Sequence, residues 1–132
     1  MTTIKSYTDI EQSKKLAEIF PLKSADMKWY FWKEEINAPK IPTFGYSKDA
    51  AESYKNTEAI YLPCWSLAAL HGVVSTYCSR LEITLRADKK HNVFAVKDDF
   101  VFRSFDDHPD GFDNLVDACY DVIIKLHELN FL

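Results

Sequence analysis

The sequence predicts an α+β fold, a three-stranded antiparallel meander packed with about three α-helices in a single domain spanning residues 1–132. Three observations lead there. Two stretches open with helix-capping signatures, Thr8-Asp9-Ile10-Glu11 and Asn114-Leu115-Val116-Asp117, and continue with apolar residues at helical spacing. Leu67, Leu70, Val73 and Val74 repeat that spacing in mid-chain. Between residues 80 and 105, short runs alternate apolar with polar side chains and are joined by polar turns, the pattern of strands with one wet face.

The elements follow in chain order. At Thr8-Asp9-Ile10-Glu11 a hydroxyl can accept the N3 amide while a carboxylate reaches back to the cap, so a helix is expected over about 9–20. Ile10, Leu16, Ala17 and Phe20 fall near one face, and Pro21 ends the helix because it cannot continue the backbone ladder. In the next stretch Met27, Trp29 and Phe31 alternate with Lys28, Tyr30 and Trp32, the period of a short strand rich in aromatics. From 37 to 56 the composition (Asn37, Pro39, Pro42, Gly45, Asn56 and scattered lysines) is that of a long loop. Loops of that length inside a compact domain tend to be functional or mobile, so a lid or recognition loop is sought here first.

Leu62-Pro63-Cys64-Trp65-Ser66 leads into the central helix, expected over about 65–77. Pro63 suits a first helical turn, and Ser66 can cap a slightly later start. Gly72 inside that helix costs about 1 kcal/mol relative to alanine, which suggests a close neighbour. Arg80 to Ala87 sets Leu81, Ile83, Leu85 and Ala87 on one face and Arg80, Glu82, Thr84 and Arg86 on the other. Val93 to Val96 and Phe100 to Phe105 make the second and third strands of the meander. The last helix, about 115–129, carries the stripe Leu115, Ala118, Cys119, Val122, Leu126 and Leu129. Val116, Tyr120, Ile123 and Ile124 make much of its remaining surface apolar as well, so it is expected to be sandwiched or to join an interface.

Bulk properties narrow the function classes. With 47% apolar and 14% aromatic residues the chain has ample material for a core, and no run is long and apolar enough for a membrane span. The first fifteen residues lack the apolar stretch of a secretory signal and the arginines of a transit peptide, which points to the cytoplasm. Three cysteines without paired spacing, Cys64, Cys78 and Cys119, read as free thiols behaving as small apolar residues. The net charge of −4 is concentrated at the C-terminal end, where residues 98–132 carry nine acids against Arg103 and Lys125. Such an edge does not bind phosphates, although it could dock a basic partner.

Candidate chemistries weaken on inspection. Cys64 and His71 lie seven residues apart, about 10 Å along one helix, too far for a thiol–imidazole contact on that helix, and no local signature pairs Cys64 with another histidine. Ser66 lacks a nucleophile elbow. The stretch from Asp106 to Asp117 has aspartates at positions 1, 5 and 12 of a calcium loop and glycine at 6. It also has His108 at position 3, Asp113 where an apolar residue belongs and no closing glutamate, so a strand-to-helix turn explains it better. No zinc spacing, P-loop or dinucleotide fingerprint is present, and no cofactor is expected. The distinctive feature is aromatic: Trp29, Tyr30, Phe31 and Trp32, with Trp65, Tyr46, Tyr54 and Tyr61. Most of this serves a core; the remainder suits a partner surface, because Trp and Tyr dominate binding hot spots. Lysines 28, 33, 40, 48 and 55 interleave with it, but Glu34, Glu35, Asp49 and Glu52 dilute their charge, so nucleic-acid binding is not expected.

Three stretches, Ala25-Asp26-Met27, Leu62-Pro63-Cys64-Trp65-Ser66-Leu67-Ala68-Ala69-Leu70 and Val116-Asp117-Ala118-Cys119, resemble a family of small uncharacterised proteins from Bacteroidetes genomes and their phages or mobile elements. The resemblance runs from about Ser24 onward and rests on Pro63, Trp65, Ser66 and Leu67. It implies a compact α+β domain from a mobile genetic context and supplies no catalytic residue. The expected function is a non-enzymatic interaction module that binds a protein partner or self-associates through the C-terminal helix and the aromatic segment, with Trp29, Trp32, Trp65, Tyr120 and Ile124 as contact residues. The alternative is a small enzyme or ligand-binding protein with its site under the 37–56 loop, using Cys64, His71 or the aromatics.

Overall fold

The computed structural model describes residues 5–32, 42–46, 59–86, 88–104 and 110–130. It is an α+β structure with helices α1 (Ile10–Ile19), α2 (Leu67–Tyr77) and α3 (Leu115–Glu128). The strands are β1 (Met27–Trp32), β2 (Thr43–Phe44), β3 (Ala59–Cys64), β4 (Arg80–Leu85), β5 (His91–Lys97) and β6 (Phe100–Arg103). They form two antiparallel sheets, ordered β2-β1-β3 and β4-β5-β6. Contacts cluster into two units, Tyr7–Ala69 and Leu70–Leu132 with Met1–Ser6, the division falling within α2. Among the described residues no helix is long and apolar enough to cross a membrane.

In the unit from Tyr7 to Ala69, α1 begins one residue later than the capping signature predicts. Asp9, not Thr8, is the cap: its carboxylate accepts from the Gln12 amide at 2.8 Å, and the Gln12 side chain accepts from the Asp9 amide at 3.1 Å. Thr8 is drawn inward instead, fully buried. Leu16 and Phe20 are buried as the periodicity requires, and the helix ends before Pro21. On β1 the alternation holds, with Met27, Trp29 and Phe31 buried and Tyr30 and Trp32 exposed. The register pairs Met27 with Cys64, Trp29 with Leu62 and Phe31 with Ile60, so one face of the sheet forms a core cluster joined by Tyr7 and Ile10.

The structure corrects the reading of 59–64. This stretch is strand β3 rather than a helical lead-in, and Pro63 pairs opposite Lys28 instead of opening a helix. An edge strand accommodates proline because one of its two sides needs no ladder donor. Helix α2 starts at Leu67, where Ser66 Oγ accepts from the Ala69 amide at 3.1 Å. The expected 37–56 loop lies outside the described residues except for 42–46, where Thr43 and Phe44 add a short strand beside β1.

In the unit containing Leu70–Leu132 the predicted meander is present, with β4 registered on β5 and β5 on β6. Asp98, at φ 55°, makes the tight turn between the latter two. Helix α3, capped by Asn114 Oδ1 accepting from the Asp117 amide at 2.8 Å, packs on β5 and β6. It buries Val116, Ala118, Cys119, Val122, Ile123 and Leu126 with Val93, Ala95 and Phe102. Lys125 Nζ donates to the Arg103 carbonyl at 2.9 Å and Lys5 pairs with Asp117 at 2.7 Å. Strand β4 departs from expectation: Ile83 and Leu85, on the face that carries the core, are 42% and 60% exposed.

Candidate functional site

Cys64, Trp65 and Ser66 of the Pro63–Leu67 motif come together with Thr8 and Asp26 through hydrogen bonds. Cys64 is fully buried; its thiol donates to the Thr8 carbonyl at 3.4 Å and accepts from the Thr8 hydroxyl at 3.6 Å. Ser13 Oγ lies 2.8 Å from the same hydroxyl, which also accepts from the Trp65 amide at 3.2 Å. Burial pushes the Cys64 thiol above its ordinary pKa, keeping it in the protonated, poorly nucleophilic form. His71 is exposed on α2, its ring facing Ser75 Oγ at 3.5 Å. Asp26 accepts from the Ser66 amide at 2.9 Å and from its hydroxyl at 2.5 Å. The opening hydroxyl of the helix is therefore a tethered cap.

The five expected contact residues separate by burial. Trp29 is 6% exposed; its indole donates to the Thr8 carbonyl at 3.1 Å and meets Tyr7 edge-on at 5.8 Å. Trp65 is sealed, its indole donating to Ser24 Oγ at 2.9 Å with Phe20 against its ring. Both are core residues. On α3, Tyr120 and Ile124 are half-buried. Trp32, 41% exposed, remains as a surface tryptophan.

Trp32 belongs to a continuous aromatic surface. On the face of the first sheet opposite the core, Tyr30 packs against Trp32 at 6.0 Å and against Tyr61, its cross-strand partner on β3, at 4.8 Å. Both separations lie within the range of favourable ring pairs. Lys28 Nζ stands 5.7 Å over the Tyr61 ring, close enough for a cation–π contact. Tyr30 and Tyr61 were not among the five expected residues. The signal for Tyr30 was its parity with Trp32; Tyr61 required the β1–β3 pairing, which the sequence did not disclose.

The remaining candidates carry no such grouping. Of the acidic stretch 106–117, residues 106–109 lie outside the described region; Asp113 pairs with Lys90, Asp117 with Lys5, and Asn114 caps α3. Among the described residues, no group of three His, Cys, Asp or Glu is placed to hold a metal ion. No family model matches the chain, and neither a curated protein nor a solved structure is significantly similar to it.

Proposed function

We propose that the protein is a non-enzymatic interaction module that binds a protein partner through the outer face of its first sheet, with Trp32 as the anchor. One observation carries the reading: Trp32 and Tyr30 are 41% and 37% exposed, on the sheet side away from the core, in contact with each other. Large, rigid rings with polar tips lose little conformational entropy when a partner covers them, so Trp and Tyr dominate interface energetics. Among the described residues, Lys28 is the cation set over this aromatic group, too little by itself to neutralise a run of phosphates. The half-buried Tyr120 and Ile124 contribute less to this reading, because α3 spends its apolar face on its own sheet.

Trp32→Ala and Tyr30→Ala test the reading. Losing a surface ring pair costs about 0.5–1.5 kcal/mol, a fraction of a domain's stability, so both variants should still fold as the parent does by circular dichroism. Proteins captured from host lysate by the parent chain should then be re-tested as purified binders. Loss of Trp32 should weaken the specific one by about 30-fold, the effect of a hot spot worth about 2 kcal/mol. Capture of no binder, or equal affinity of the parent and both variants, rejects the proposal.

A further inference from the structure

Strand β4 closes one edge of the second sheet, paired with β5 on one side and, among the described residues, with no strand on the other. The Arg86 amide donates to the Lys90 carbonyl at 2.8 Å, which fixes the parity of the ladder. Even-numbered residues of β4 turn their N–H and C=O groups toward β5, while Leu81, Ile83 and Leu85 turn theirs outward. The same odd-numbered residues hold the apolar side chains, and α3 packs on β5 and β6 while Ile83 and Leu85 stay exposed. Such an edge is a template for a further strand.

The strand's own charge pattern names the occupant. Let a second copy pair with it antiparallel about a two-fold axis through Thr84. Ile83 then faces Leu85 and Glu82 faces Arg86, each pairing occurring twice. Moving the axis to Ile83 sets Arg80 against Arg86, and moving it to Glu82 sets that carboxylate against its own copy. The Thr84 register alone among these three sets Glu82 against a counter-charge while keeping apolar side chains together. Existing ion pairs along the strand, Arg80–Glu82 at 2.6 Å and Arg86–Asp88 at 2.9 Å, already hold these groups beside the edge. We propose that the chain forms a homodimer through β4, joining two three-stranded sheets into one of six strands. The β4 pairing uses no residue of the aromatic face and does not depend on it.

Sedimentation equilibrium over micromolar to millimolar concentrations tests the dimer: the mass should climb from 15.3 kDa toward twice that value. Hydrogen exchange on the unaltered chain should show the amides of Ile83 and Leu85 gaining protection as the dimer fills, with the amide of Thr84 unchanged. Ile83→Lys should weaken association by about tenfold or more. Glu82→Arg should weaken it as well, and Glu82→Arg combined with Arg86→Glu should restore it. A chain that stays monomeric throughout, or a dimer whose Ile83 and Leu85 amides exchange at a rate independent of concentration, overturns the proposal. Failure of the double swap to recover the parent affinity overturns the register.

Discussion

Asp26 stands at the centre of a hydrogen-bonded group that ties segments of this chain together. A carboxylate beside a serine hydroxyl, next to a cysteine and a tryptophan, has the composition of a catalytic group; here each member ties one segment to another. Asp26 accepts from both the amide and the hydroxyl of Ser66, and that hydroxyl in turn caps α2. Replacing Asp26 by alanine removes the acceptor from two donors at once. A partly buried donor left unmade costs about 1–3 kcal/mol. Asp26→Ala should therefore lower unfolding free energy in urea by about 2–3 kcal/mol. Ser66→Ala should cost less, and the double variant less than the sum of the two, since both remove the same contact. Additive losses in that cycle would show that the two side chains act independently.

At the level of elements, what the sequence disclosed depended on whether the signal was local. Capping residues and helical spacing placed α1, α2 and α3 to within about two residues, and the shift from Thr8 to Asp9 arises because Thr8 is claimed by Cys64 and Trp65. The β4–β6 meander was legible from alternation and turns. Strand β3 was not, because Pro63 and the helix beginning at Leu67 make its sequence read as a helix entry; only pairing with β1 makes it a strand. The exposure of Ile83 and Leu85 was equally hidden, since parity assigns a face while the reach of α3 decides whether that face is covered. Gly111 illustrates a non-local constraint at the entry to α3. Its φ of 78° is left-handed, and a Cβ there would lie 2.7 Å from Lys90 Cβ, where Phe112 is bridged to His91. Gly111→Ala should cost about 1–3 kcal/mol by denaturant unfolding. A neutral result would mean that the segment shifts without loss.

For the molecule as a whole, the aromatic surplus in the composition proved divisible. Trp29 and Trp65 supply the interior, whereas Trp32 lies on the outer side of its sheet; parity on β1 marked that side, and the tertiary environment of Trp65 had no local signal at all. The three thiols are likewise interior groups, and they give the fold a defined response to alkali. Burial raises the pKa of Cys64 and Cys78 and pushes that of Cys119 up to about 12, against an ordinary value of 9.0. A raised folded-state pKa means that the folded chain holds its proton where the unfolded chain has released it. Stability from this source is complete below about pH 9 and is lost as pH climbs through the folded value. For Cys119 the loss is about 1.4 kcal/mol per pH unit between roughly pH 9 and pH 12, about 4 kcal/mol in all. The difference between parent and Cys119→Ala isolates the thiol. The variant should begin less stable at neutral pH, having lost a buried side chain, and should overtake or approach the parent as pH rises. Urea midpoints that fall in parallel for the two chains would show that the Cys119 thiol ionises in the folded state as readily as in the unfolded one.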